Sequence, residues 1–184
     1  MTQAQVKLKF TLEDYQNLPE SETKRYELLG GELIMAPSPT SEHQRISWEL
    51  EFRLSQLVRK NKLGMVFDAP LDVILSDEDV VQPDILFISR ERAEIIHQDG
   101  IHGAPDLVIE ILSPASAGRD RSFKRTLYAR SGVREYWLVD PDSKSIEVLT
   151  LGPQAYQQTG HYEKSQTLRS PLLTGLSIAL DEIF

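Results

Sequence analysis

The chain has 184 residues and a formal net charge of −8; it is long enough to bury a sizeable core without staples and too acidic for a surface that is basic throughout. It has no cysteine, which rules out disulfides, a thiolate zinc site and a cysteine nucleophile, and fits a reducing compartment. The N-terminal MTQAQVKLKF lacks the apolar stretch of a secretory leader, and no apolar run approaches the length of a bilayer span, so a soluble, cytoplasmic, single-domain protein without membrane attachment is expected over residues 1–184.

Thr11 with Asp14 three residues on marks the start of a short helix, roughly 12–18. In YELLGGELIM the Gly30-Gly31 pair between two apolar-rich runs predicts a two-residue hairpin turn. Ser41 and Gln44 form a capping-box pattern, and Ile46, Leu50, Leu54, Leu57 and Val58 follow at helical spacing until Gly64 closes the segment. MVFDAPLDVIL reads as one or two strands and PDILFIS as another; Pro83 places the start of that strand at a bend or a sheet edge. Residues 89–97 read as a helix capped by Ser89. GAPDLVIEIL is the strongest strand pattern in the chain. Asp120 is expected to cap a helix over roughly 121–131 that ends at Gly132. EYWLVDP and SIEVLTL follow as strands joined by a polar turn, and the remainder reads as a short strand pair and a tail. A strand–helix–strand core inside a mixed central sheet fits this order, and runs such as LVIEIL predict that the sheet is covered on both faces.

The residues with chemical promise interrupt these patterns. Glu110 breaks an otherwise apolar strand, where an isolated carboxylate costs several kcal/mol unless it is neutralised, paired or metal-bound. The alternative to a metal is a salt bridge to a lysine or arginine on the covering helix. Asp84 opens a second apolar strand; it either binds nearby backbone amides or joins Glu110 around a divalent ion, since Mg²⁺ takes oxygen ligands and keeps several waters. Asp120, Lys124 and Tyr128 recur every four residues on one helical stripe, beside an apolar face carrying Phe123 and Leu127. Lys124 is therefore either a group that offsets charge on a phosphate or half of a solvated ion pair with Asp120. Arg119, Arg121 and Arg125 belong to a basic stretch that suits a phosphate backbone or a solvated face. Spacing alone requires no role of Glu27 or His43. His97 and His102 are poorly spaced for ligands on one helix, so no zinc site is expected. Trp48 and Trp137 read as packing residues.

YELLGGEL, PDILFIS, GAPDLVIEILSP and RDRSFKRTLYARSGVREYWLVDP together resemble the Uma2 family, from about Tyr26 to the C-terminal EIF. That resemblance implies the restriction-endonuclease-like fold of the PD-(D/E)XK nuclease superfamily, an α/β core with a mixed central β-sheet flanked by helices. It implies a metal-dependent endonuclease acting on DNA, with Mg²⁺ or Mn²⁺ held by Asp84 and Glu110, and often a homodimer. Pro83-Asp84 and Glu110 match the superfamily pattern. The lysine expected two residues after Glu110 is replaced by Leu112, and Lys124 resembles a lysine that has migrated to the next helix. Glu27 matches the family's early glutamate. The alternative is a catalytically silent nucleic-acid- or protein-binding module on the same fold.

Overall fold

The computed structural model describes residues 8–19 and 25–184. The leader reading, so far as it concerns residues 1–7, lies outside the described residues. Thr11 and Asp14 make the predicted reciprocal cap of α1 (Leu12–Gln16). β1 (Arg25–Leu29) and β2 (Glu32–Ala36) form the predicted hairpin, with Leu29 opposite Glu32. Gly30 and Gly31 have φ of 58° and 79°, the positive values this turn requires and side chains resist.

α2 (Ser41–Asn61) buries Ile46, Leu50, Leu54 and Val58, each worth on the order of 1.5–3 kcal/mol. Its cap is Thr40, not Ser41: the Thr40 hydroxyl accepts from the His43 amide at 3.2 Å. Its C-terminus closes on Lys62 in the left-handed region, while Gly64 opens β3 (Gly64–Asp68). Trp48 is exposed, contrary to its reading as a packing residue, because it lies off the buried stripe.

β4 (Val73–Ser76), β5 (Asp79–Val81) and β6 (Ile85–Ser89) follow. The stretch expected as a helix from Ser89 is a 3-10 segment, Arg90–Ile95, and Ser89 makes no capping bond to it. A small hairpin, β7 (Ile96–His97) and β8 (Gly100–His102), leads to β9 (Leu107–Ile111). The next helix starts earlier than expected: α3 (Ala117–Arg119) runs through a π turn at Asp120–Lys124 into α4 (Arg125–Ser131). Asp120 thus lies inside the helix rather than capping it, and Gly132 ends it as predicted. Three longer strands, β10 (Glu135–Asp140), β11 (Ser145–Leu151) and β12 (Tyr156–Glu163), precede a small pair, β13 (Thr167–Leu168) and β14 (Ile178–Ala179).

The strands form two larger sheets, ordered β2-β1-β5-β4-β8-β7 and β12-β11-β10-β9-β6-β3. In the second, β9 and β10 are parallel and linked through α3 and α4, while the other pairings are antiparallel. Both its faces are covered. Ile85, Phe87, Ile109, Trp137 and Val139 pack under α2 and the C-terminal segment. Leu86, Val108, Tyr136 and Leu138 pack with Leu127 and Tyr128 of α4 and with Val73, Val81 and Ile101 of the first sheet. β6 is an interior strand, so Pro83 marks a bend and not a sheet edge. That bend carries the chain from β5 in one sheet to β6 in the other.

Candidate functional site

Strand register brings the two carboxylates together. β6 and β9 are antiparallel with Ile85 opposite Ile109. One step further, the same register sets Asp84 opposite Glu110, and side-chain alternation puts both on the face of Leu86 and Val108. Asp84 Oδ2 accepts the Ile111 amide at 2.7 Å and lies 3.2 Å from His43 Nε2. The backbone bond foreseen for Asp84 thus exists, and it fixes the carboxylate at the end of β9. His43 reaches it because Thr40 starts α2 at this same end of the sheet.

Glu110 lies inside a polar cluster that is almost closed to solvent. Its Oε1 accepts from Lys124 Nζ at 3.0 Å and from the Tyr128 hydroxyl at 2.7 Å. Lys124 Nζ also donates to Glu27 Oε1 at 2.8 Å and lies 3.6 Å from Asp120 Oδ1. Glu27 Oε1 accepts in addition from the Gln82 amide at 2.9 Å. Glu27, Glu110 and Lys124 are only 6 %, 4 % and 4 % exposed. The salt-bridge explanation of Glu110 is therefore realised, with the cation that the stripe Asp120, Lys124, Tyr128 supplies. That stripe faces inward: the solvated ion pair is excluded, and it is Phe123 that is partly exposed. The π turn lies where these side chains converge, a common position for such a turn.

The electrostatics follow from burial. Desolvation pushes the Glu110 carboxyl well above its usual range, and neighbouring Asp120, Asp84 and Glu27 add to this against the pull of Lys124. Burial lowers Lys124, but the facing Glu110, Glu27 and Asp120 outweigh it and raise the ammonium above its normal value. Burial also lowers His43, and its contact with Asp84 reverses the sign, leaving the imidazole raised. Burial raises Asp120 as well, and its Oδ1 has no hydrogen-bond partner. Carboxylates from Glu27, Glu110 and Asp120 thus surround a single lysine ammonium, with Asp84 held nearby in the same cleft by the Ile111 amide and His43. This excess of hard oxygen donors fits a divalent cation.

Glu27, Glu110 and Lys124 of this cluster line a cleft of about 240 Å³, together with Arg25, His43, Asp84 and Arg119. Of the arginines singled out in the basic stretch, Arg119 lines the cleft, and its buried Nε has no partner. Arg121 is paired with Asp140 and Glu147, and Arg125 lies 3.5 Å from the Tyr156 carbonyl. Sequence reasoning missed Arg25 and Gln82. Gln82 precedes Pro83-Asp84 directly, a position that signals proximity to the site; Arg25 carries no comparable signal.

The chain matches the Uma2 family model, described as "Putative restriction endonuclease", over residues 12–181. The chain belongs to the Uma2 family. It is 27% identical over 139 residues to an uncharacterised protein of Synechocystis sp., covering 74% of this chain and 78% of that protein. A crystal structure described as "a putative nuclease belonging to DUF820" from Anabaena variabilis superposes with a TM-score of 0.79, covering 95% of this chain and 97% of that one at 24% identity. That likeness shows the fold that this Uma2 chain shares: an α/β core with mixed sheets. Among its described residues no helix is long and apolar enough to cross a membrane.

Proposed function

We propose that this Uma2 protein is a divalent-metal-dependent endonuclease that hydrolyses phosphodiester bonds in DNA. The observation that carries the reading is the strand register that sets Asp84, just before β6, opposite Glu110 of β9 in a cleft, with Lys124 brought beside Glu110 from the following helix. Asp84 and Glu110 are the residues that would hold Mg²⁺ or Mn²⁺, and such an ion supplies an activated water and a polarised phosphoryl oxygen. Asp84 is oriented for this by the Ile111 amide and by His43. Glu27 holds the Lys124 ammonium at the cleft floor, where it offsets negative charge that develops on the phosphoryl group. Arg119 and Arg25 flank the cleft and give an acidic protein its local affinity for a phosphate backbone. The cysteine-free composition is in keeping with a cytoplasmic location.

The test is cleavage of supercoiled and linear DNA, and of single-stranded DNA and RNA, with Mg²⁺ or Mn²⁺. Cleavage is expected in the parent and lost in Asp84→Ala and Glu110→Gln. One observation favours a second reading, the catalytically silent binding module: Lys124 is fully engaged by Glu27 and Glu110, and Leu112 stands where the superfamily pattern has its lysine. Absence of cleavage on every substrate, with DNA binding retained in gel shifts, would establish that second reading instead.

A further inference from the structure

In the chain between Asp84 and Glu110, but outside the lining of the cleft, the β7–β8 hairpin draws together side chains that sequence spacing had set apart. β7 and β8 pair antiparallel with Ile96 opposite Ile101 and His97 opposite Gly100. Alternation then places His97, Gly100 and His102 on one face of the hairpin. His97 and His102 are diagonal neighbours on that face, a separation that long or aromatic side chains bridge. Gly100, between them, has no side chain to fill the gap. Its φ of 146° and the approach of the Asp72 carbonyl, 2.8 Å from where a Cβ would stand, reserve the position for glycine. The two imidazole rings lie with centroids 4.3 Å apart. Asp99, in the two-residue turn, brings its Oδ1 to 3.0 Å from His102 Nε2. The ligand atoms of His97, Asp99 and His102 all lie within 4.8 Å of one another.

We propose that His97, Asp99 and His102 form a second metal site, for a late first-row divalent cation of the Zn²⁺ class. The donor set decides the class. Two imidazoles and one carboxylate suit Zn²⁺, Ni²⁺ or Cu²⁺, whereas Mg²⁺ prefers oxygen ligands throughout. Three protein ligands leave at least one coordination position to water. All three side chains are exposed, so the ion has direct access and the ligands need no rearrangement of the core. Sequence reasoning dismissed the pair because it tested helical spacing; a two-residue hairpin turn brings residues five apart onto one face. The site does not depend on the nuclease reading, since none of its ligands lines the cleft. Its effect on the fold is local: the ion clips β7, a two-residue strand at the end of its sheet, to β8.

The experiment is calorimetric titration of Zn²⁺ into the tag-free full chain, with thermal unfolding as a second readout. One equivalent of Zn²⁺ is expected to bind and to raise the melting temperature. Binding should persist in excess Mg²⁺ and in Asp84→Ala, which separates it from the cleft. His97→Ala and His102→Ala should each weaken it by about tenfold or more while leaving the far-UV circular dichroism unchanged. No saturable Zn²⁺ binding, or an affinity unaltered by both histidine substitutions, overturns the proposal.

Discussion

Lys124 shows how one side chain joins stability to chemistry. It is buried against Glu27, Glu110 and Asp120, so Lys124→Ala leaves carboxylates without their cation. The expected loss of stability is about 3–5 kcal/mol, read by urea denaturation in metal-free buffer; a loss under about 1 kcal/mol would mean that Glu110 takes up a proton instead. Glu110 gives the pH dependence. Its folded-state carboxyl is raised by burial, so folding binds its proton more tightly than the unfolded chain does, and its contribution turns unfavourable as pH rises above about 4.3, the unfolded value. Below that value both states are protonated and the effect vanishes. Glu110→Gln should therefore be better tolerated at pH 8 than at pH 4, as measured by denaturation at both. A cation at Asp84 and Glu110 must displace the same proton. The Mg²⁺-induced rise in melting temperature should grow with pH well above the ordinary carboxylate range. A rise that is flat from pH 5 to pH 9 would take Glu110 out of the ligand set.

At the scale of elements, the site depends on where helices begin and strands bend. α2 starts at Thr40, whose hydroxyl caps the His43 amide, and His43 in turn reaches Asp84. Thr40→Ala is expected to cost about 1 kcal/mol and to loosen His43 on Asp84. A denaturation midpoint measured together with the His43 ring resonances would show both effects. The π turn at Asp120–Lys124 performs the matching task at the other wall, aligning Asp120, Lys124 and Tyr128 towards Glu110 and Glu27. The segment 82–84 crosses between the two sheets, so Asp84, directly before β6 of one, shares a cleft with Glu27 of β1 in the other.

For the whole molecule, the distribution of exposed apolar surface bears on assembly. Trp48, Phe52 and Met65 are exposed, and the Trp48 and Phe52 rings stack with centroids 5.6 Å apart. They line a groove between α2 and β3, an edge strand, where unpaired backbone groups and apolar side chains together invite association. We expect a homodimer through this face. Light scattering should give a dimer mass for the parent and a monomer mass for Trp48→Asp/Phe52→Asp; a monomeric parent would exclude this interface.

Sequence alone determined the elements whose patterns are local: the Gly30-Gly31 hairpin, the stripe of α2, the apolar strands, and the strand–helix–strand order. It also singled out Glu110, because a carboxylate within a buried run carries a cost that something must offset. The early glutamate and the lysine on the following helix came from family resemblance and a four-residue stripe, neither of which says which way a side chain faces. That Lys124 points inward to Glu27 and Glu110, that Arg121 is already paired, that Trp48 lies on the surface, and that His97 meets His102 were decided only by the tertiary structure. Each depends on which strands pair, in what register, and which helix face they cover. Apart from the His97–His102 hairpin contact, these bring together residues that are not neighbours in the chain, and local periodicity carries no record of them.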